Sequence, residues 1–241
     1  MKQVLRNGLL SGLAAGMALA FYMLVFGRGP IRAALDYEEE LADGGGSQHD
    51  ELFSQGVQEI GGALGLIIFG IALGIIFAIV LASLAPRMGT VTPMRASLQL
   101  GLSGFIVVVV IPFLKYPANP PAVGDPDTIN ERTLLYFATL GLSIVLAHAV
   151  WTFVQRSEKT AARRAWLGAG LYALGLTAIY LALPDPPDAV TAPTDLVWNF
   201  RVATLGGLAS CWAVFSLTMG TLLTWQASEL NADPAALSTY R

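Results

Sequence analysis

The chain has 241 residues, of which 54% are hydrophobic and only 13% are Asp, Glu, Lys or Arg, with a formal net charge of −3. That charged share is about half of what soluble domains carry, and with the long uncharged runs it excludes a soluble globular domain in favour of an integral membrane protein. The single cysteine, Cys211, excludes an internal disulfide.

Six apolar runs reach the roughly 20 residues needed to cross a bilayer. In chain order they are 7–26, 60–84, 94–114, 133–154, 165–183 and 202–225. Their interiors hold no Asp, Glu, Lys or Arg except Arg95, whose long stem at a run end reaches the interface. Alternation of period two is absent, so a β-barrel is excluded. The predicted fold class is therefore all-α: a polytopic membrane protein, a six-transmembrane-helix bundle forming a single integral membrane domain over residues 1–241.

The first run resembles a signal peptide in one respect, because Lys2 and Arg6 precede it and Ala18-Leu-Ala20 has the form of a cleavage site. It is too long for a typical signal core, however. Gly8, Gly12 and Gly16 also recur every four residues, the spacing of a helix-packing face. The run is expected to remain as a helix.

The loop over 27–59 is the longest. Pro30 suits the first turn of a short helix that Gly44–Gly46 stops, and Ser47 with Asp50 forms a capping pattern for a second helix. The same loop carries Asp36, Glu38, Glu39, Glu40, Asp43, His49, Asp50, Glu51 and Glu59. A divalent cation favours imidazole nitrogen and carboxylate oxygen, so His49, Asp50, Glu51, Glu38, Glu39 and Glu40 are the candidate metal residues here. Neighbours on a helix point about 100° apart, so three consecutive glutamates cannot all face one ion. Two readings stand: a solvated acidic loop, and a surface whose summed field concentrates cations without one fixed site.

His148 is the only histidine inside a predicted span and is the remaining metal candidate. A lone imidazole in such a helix also serves simply as a hydrogen-bonding group. Cys211 with Met17, Met23 and Met219 offers a soft metal path, or ordinary core filling.

Topology follows from Lys and Arg. With the N-terminus inside, nine of them (Lys2, Arg6, Arg87, Arg95, Arg156, Lys159, Arg163, Arg164, Arg241) fall in cytoplasmic segments and five outside. Fourteen of the acids fall outside and three inside, so the outer face is strongly negative and both termini are expected to be cytoplasmic.

The segment Lys115–Arg132 carries the densest signal. Pro112 just before it, with Pro117, Pro120, Pro121 and Pro126, disfavours helix or central strand, and charges crowd the same stretch. A charged, proline-kinked cap between two spans is expected, with Lys115, Asn119, Pro120, Pro121, Asp125, Asp127, Glu131, Arg132 and Arg201 as its entrance or gate residues. Arg132 and Arg201 are placed to anchor helix ends or to pair with Asp125, Asp127, Asp185, Asp188 or Asp195. The next long loop repeats the layout: Pro120-Pro121 leading to Arg132 parallels Pro186-Pro187 leading to Arg201. Phe137-Ala-Thr-Leu-Gly-Leu142 likewise parallels Val202-Ala-Thr-Leu-Gly-Gly207, the pattern of a duplicated hairpin.

Phe113-Leu-Lys-Tyr-Pro-Ala-Asn-Pro-Pro-Ala-Val-Gly-Asp-Pro-Asp-Thr-Ile129 closely resembles the signature of the CbtA family, a probable cobalt transporter subunit of bacterial membranes. Asp195-Leu-Val-Trp-Asn-Phe-Arg-Val-Ala203 resembles that family's Trp–Phe–Arg motif, and the acidic, His-bearing first loop is a third likeness. Many members have a strongly His-rich first loop, whereas this one holds only His49. The resemblance implies a membrane subunit of a cobalt or nickel uptake system in the bacterial inner (cell) membrane. Cobalt would be substrate and no cofactor would be tightly bound. It also implies partnership with a small single-helix CbtB-type subunit bearing its own metal ligands; self-association into a homo-oligomer is the other assembly left open.

The alternative is a non-transporting membrane scaffold or metal-sensing partner subunit. A continuous polar path would favour transport, and a bundle sealed by Leu, Val and Phe the scaffold. No phosphate-cradling Gly-Lys-Ser/Thr loop, no His-Glu-x-x-His and no serine elbow is present, so no enzyme is expected. The basic inner loops act as topology determinants; no nucleic-acid partner is expected.

Overall fold

The computed structural model describes residues 2–43, 55–89, 91–121, 123–157, 160–187 and 192–232. All regular structure among them is helical, and six helices are long and apolar enough to cross a membrane: Lys2–Glu40, Gly56–Arg87, Pro93–Lys115, Pro126–Gln155, Ala161–Ala182 and Thr194–Glu229. The protein is an all-α, multi-pass membrane protein. Most large apolar side chains outside the contacts below face outward, as lipid-facing helices require.

Contacts group the chain into two compact units, one of residues 1–103 with 202–241 and the other of residues 104–201.

In the first unit, α1 (Lys2–Tyr22) packs against α3 (Gln55–Leu84). The packing is backbone to backbone. A Cβ placed on Gly12 would lie 2.5 Å from the Gly70 carbonyl oxygen, and one on Gly74 would lie 2.5 Å from the Gly12 Cα. The four-residue glycine repeat of α1 therefore meets Gly70 and Gly74 of α3, the close approach that drives helix pairing where no hydrophobic effect operates between helices. In the same unit, Ser97 of α4 (Pro93–Gly104) donates to the Ser216 carbonyl of α8 (Thr194–Ala232) at 2.7 Å. Asn7 and Gln226 exchange a reciprocal amide pair at 3.0 and 2.9 Å. Phe77, Trp212 and Phe215 supply an aromatic core.

Helix α2 (Arg28–Asp43) continues α1 through a π-helical turn, Met23–Gly27. The expected loop after Phe26 is thus helix, and Pro30 lies within a continuous helix instead of opening a new one. The reason is local: Pro30 has no N–H to give the preceding turn, and the widened turn just before it accommodates the ring. Apolarity in the sequence marks only the part of a helix that lies in lipid, whereas backbone hydrogen bonding carries the helix beyond it. The expected Ser47–Asp50 cap lies outside the described residues.

The second unit repeats the device. Here α4 continues through a π-helical turn, Phe105–Val110, into α5 (Ile111–Lys115), so Pro112 also sits in a helix, contrary to the sequence expectation. In this register the Ile111 N–H bonds the Ile106 carbonyl, five residues back. The residue five before Pro112 is Val107, whose carbonyl would be orphaned by the missing proline N–H. Ser143 of α6 (Ile129–Gln155) donates to that Val107 carbonyl at 2.9 Å and meets the Tyr172 hydroxyl of α7 (Ala161–Ala182) at 2.6 Å. Tyr180 of α7 donates to the Ile111 carbonyl.

Replacing Ser143 by Ala should remove the partner of a carbonyl that lipid cannot hydrate, at about 1 kcal/mol, a fall of about 2–4 °C in Tm. Ser103→Ala is the control, because Ser103 is exposed and bonds only its own helix. Equal Tm values for the two variants in detergent would refute this role.

Candidate functional site

The expected cap begins where α5 ends. The described residues of 116–125 are not helical, and helix resumes as a 3-10 turn, Pro126–Thr128, leading directly into α6. Both following helices start earlier than apolarity alone indicates. Arg132 therefore lies within the first turn of α6, and Arg201 about two turns inside α8, which begins at Thr194. Polar first turns such as Thr194-Asp195 favour helix starts, and a hydropathy reading cuts them away.

The loop is held at both sides. Tyr116 is buried and its hydroxyl donates to the Pro184 carbonyl at 2.6 Å. Burial first, and then the nearby charges of Asp185 and Glu131, raise the Tyr116 phenol above its ordinary pKa, so it stays a neutral donor. Lys115 Nζ pairs with Asp185 at 3.1 Å, but Asp185 is 96% exposed and the pair is worth little. Pro120 and Val123 are buried, joined by a Val123 N–H to Pro120 carbonyl bond of 3.2 Å. Gly124 has φ of 109°, a conformation that side chains other than glycine rarely adopt.

Arg201 supplies the main anchor. Its Nε donates to the Ala118 carbonyl at 3.1 Å and its Nη2 to Asn119 Oδ1 at 3.0 Å. The expected pairing of Arg201 with a loop carboxylate is thus replaced by bonds to amide oxygens. Asp125 is occupied differently, since its carboxylate accepts the Asp127 N–H at 2.9 Å and caps the 3-10 turn. Asp127, Glu131 and Pro121 are exposed. A cleft of about 550 Å³ opens beside the loop, lined by Tyr116, Pro117, Ala118, Asn119, Ile129, Arg132, Thr133, Tyr136, Phe137, Pro186 and Arg201. One arginine from each of the two similar proline loops reaches this cleft, a convergence that sequence spacing did not reveal.

The metal candidates are not brought together. Glu38, Glu39 and Glu40 lie exposed on α2, and Glu59 is used by Arg28 and Arg32, at 2.7 and 3.3 Å. His49, Asp50 and Glu51 lie outside the described residues. His148 is exposed on α6 beside Trp151, with ring centroids 6.3 Å apart. Cys211 and Met219 are buried in the first unit whereas Met17 is exposed, so they form no shared path. Among the described residues, no three His, Cys, Asp or Glu side chains gather to hold a metal ion.

Arg201→Gln should free the 116–125 loop: hydrogen bonds from a charged group are worth about 1.5–3 kcal/mol, so amide exchange there should quicken roughly 10- to 100-fold. Arg28→Gln, in the other unit, should leave that exchange unchanged; unchanged exchange in Arg201→Gln would show that the loop is held by other means.

No curated protein and no solved structure matches the chain. One family model does, over residues 1–224, described as the probable cobalt transporter subunit CbtA. With nearly the whole chain covered, this protein belongs to the CbtA family, a family of transporter subunits and not of enzymes.

Proposed function

We propose that this protein is the membrane subunit of a cobalt uptake system in the bacterial inner membrane, with nickel as the second metal it would serve. The observation that carries the reading is the family match over residues 1–224, joined to six helices able to cross a membrane. In this reading both termini are cytoplasmic, on the strength of the Lys and Arg asymmetry, and the long loops face outward.

The metal is substrate, and the chain concentrates it without a fixed cage. The support is the row Asp36, Glu38, Glu39 and Glu40, exposed along a helix where no two adjacent carboxylates share a direction. The ligand set is completed by a partner, a small single-helix subunit of the CbtB type. A lone exposed His148 fits that arrangement, since one imidazole binds a divalent ion firmly only together with ligands from elsewhere. The 116–125 loop, with Lys115, Asn119, Pro120, Pro121, Asp125, Asp127, Glu131, Arg132 and Arg201 in or around it, is the candidate entrance cap.

One observation favours the second reading, a scaffold or sensing subunit. The buried hydroxyls Ser11, Ser97, Thr139, Ser143 and Ser216 each donate to a backbone carbonyl, Ser97 and Ser143 to that of a neighbouring helix and the other three to that of their own, instead of presenting donors to a path.

Uptake at submicromolar cobalt separates the two. Neutralising Glu38, Glu39 and Glu40 together to Gln should slow uptake about two- to fivefold at low salt, with the difference shrinking as salt screens the field. Complete loss from Glu39→Gln alone would require a defined ligand site, and no change from the triple variant would remove the concentrating surface.

A further inference from the structure

Glycines and polar groups deep in the spans serve contacts between helices. Gly12, Gly70 and Gly74 let α1 and α3 touch, and Ser97 and Ser143 each bond a neighbouring helix. One stripe of α6 departs from that pattern. Leu134, Gly141 and His148 recur every seven residues, Phe137 and Val145 lie between them, and all five are exposed. A Cβ on Gly141 would meet nothing within 4 Å. The buried residues of α6, Leu135, Thr139, Ser143 and Val154, lie toward the other side of the helix. That other side packs against α5, the Phe105–Val110 turn and α7.

His148 stands six residues before Val154, where the uncharged run ends, and so about 9 Å inside the hydrocarbon. Lipid gives an imidazole no hydrogen-bond partner, and ionisable residues in spans almost always face protein or water. A mid-helix glycine weakens the helix, and membrane helices carry it where two backbones approach closely. A polar group and a close-approach residue thus lie one heptad apart on one stripe, the spacing of a left-handed helix pair.

The chemistry of the stripe selects its occupant. A neutral imidazole holds one donor and one acceptor, so a second imidazole is a fitting partner for it. No Asp, Glu, Lys or Arg lies between Thr133 and Val154, so the stripe does not repel a copy of itself. The Lys and Arg asymmetry inserts every copy in the same orientation. A two-fold axis along the membrane normal then pairs two α6 helices in parallel, like residue against like. Gly141 meets Gly141, and the close approach there brings the two imidazoles one heptad further on within bonding reach.

We propose that the Leu134, Gly141 and His148 stripe is the face on which two copies of this chain pair, with the two His148 imidazoles bonded to each other across the axis. Each imidazole spends one nitrogen on that bond, so the pair still offers a metal one nitrogen from each copy. The pairing does not rest on the transport reading, and its test needs no uptake measurement.

The full-length chain in bacterial membranes carries the experiment. Its single native cysteine, Cys211, is buried, so the parent treated with oxidant serves as the blank. Cysteines are introduced singly on the stripe, Leu134→Cys and Val145→Cys, and at exposed positions off it, Phe153→Cys on α6 and Leu174→Cys on α7. Disulfide-linked dimer should form at the two stripe positions and be scarce at the other two. In nanodiscs, native mass spectrometry should show His148→Leu weakening the dimer about three- to tenfold, with His148→Gln closer to the parent because its amide also holds donor and acceptor. Should another segment of this chain or a different single-helix subunit cover the stripe, no dimer forms at Leu134→Cys or Val145→Cys, which overturns the pairing. Equal cross-linking on and off the stripe overturns it as random collision. A dimer that His148→Leu leaves as strong as the parent's overturns the imidazole bond.

Discussion

Hydrocarbon offers no partner for an unpaired amide, and this governs how the protein is built. A proline inside a spanning helix strands a carbonyl, and lipid cannot hydrate it. At Pro112 the helix widens by one residue per turn, and Ser143 from a neighbouring helix takes up Val107. Tyr180 bonds another carbonyl in the same region, at Ile111. A similar widened turn precedes Pro30. Elsewhere the constraint acts through contact distance. Gly8, Gly12 and Gly16 let α1 meet the backbone of α3 directly, which replaces a hydrophobic driving force that lipid removes.

The same constraint explains the 116–125 loop. Irregular backbone at the end of a span must find internal partners, and Arg201 supplies them for Ala118 and Asn119. Amide oxygens are neutral acceptors, so these bonds place Arg201 without cancelling its charge. Charge is therefore divided along the chain: α2 displays carboxylates, while the cleft beside the loop displays guanidinium groups.

Much of the architecture was legible in the sequence. The six spans followed from uncharged runs, and the α1 packing face from the glycine spacing. Helix ends were not legible, because polar residues such as Thr194, Asp195 and Arg28 continue a helix as readily as they begin a loop. The π-helical turns leave no mark in hydropathy; the only clue was a proline a few residues downstream. The loop's prolines and charges were legible, but its bonding was not. Opposite charges near one another suggested carboxylate partners for Arg201, whereas amide oxygens sat at the right distance and Asp125 was needed as a cap. Glu59 looked like a ligand only until Arg28 and Arg32 were seen beside it.

Cobalt accumulation by cells expressing this chain with and without the small single-helix subunit proposed as its partner, at equal membrane levels, tests the central claim most directly. Uptake well above background is predicted when both are present, and little from the chain alone, because no set of three metal-binding side chains gathers among its described residues. Full uptake by the chain alone would contradict the shared ligand set. Background uptake with both present would contradict the transport function itself.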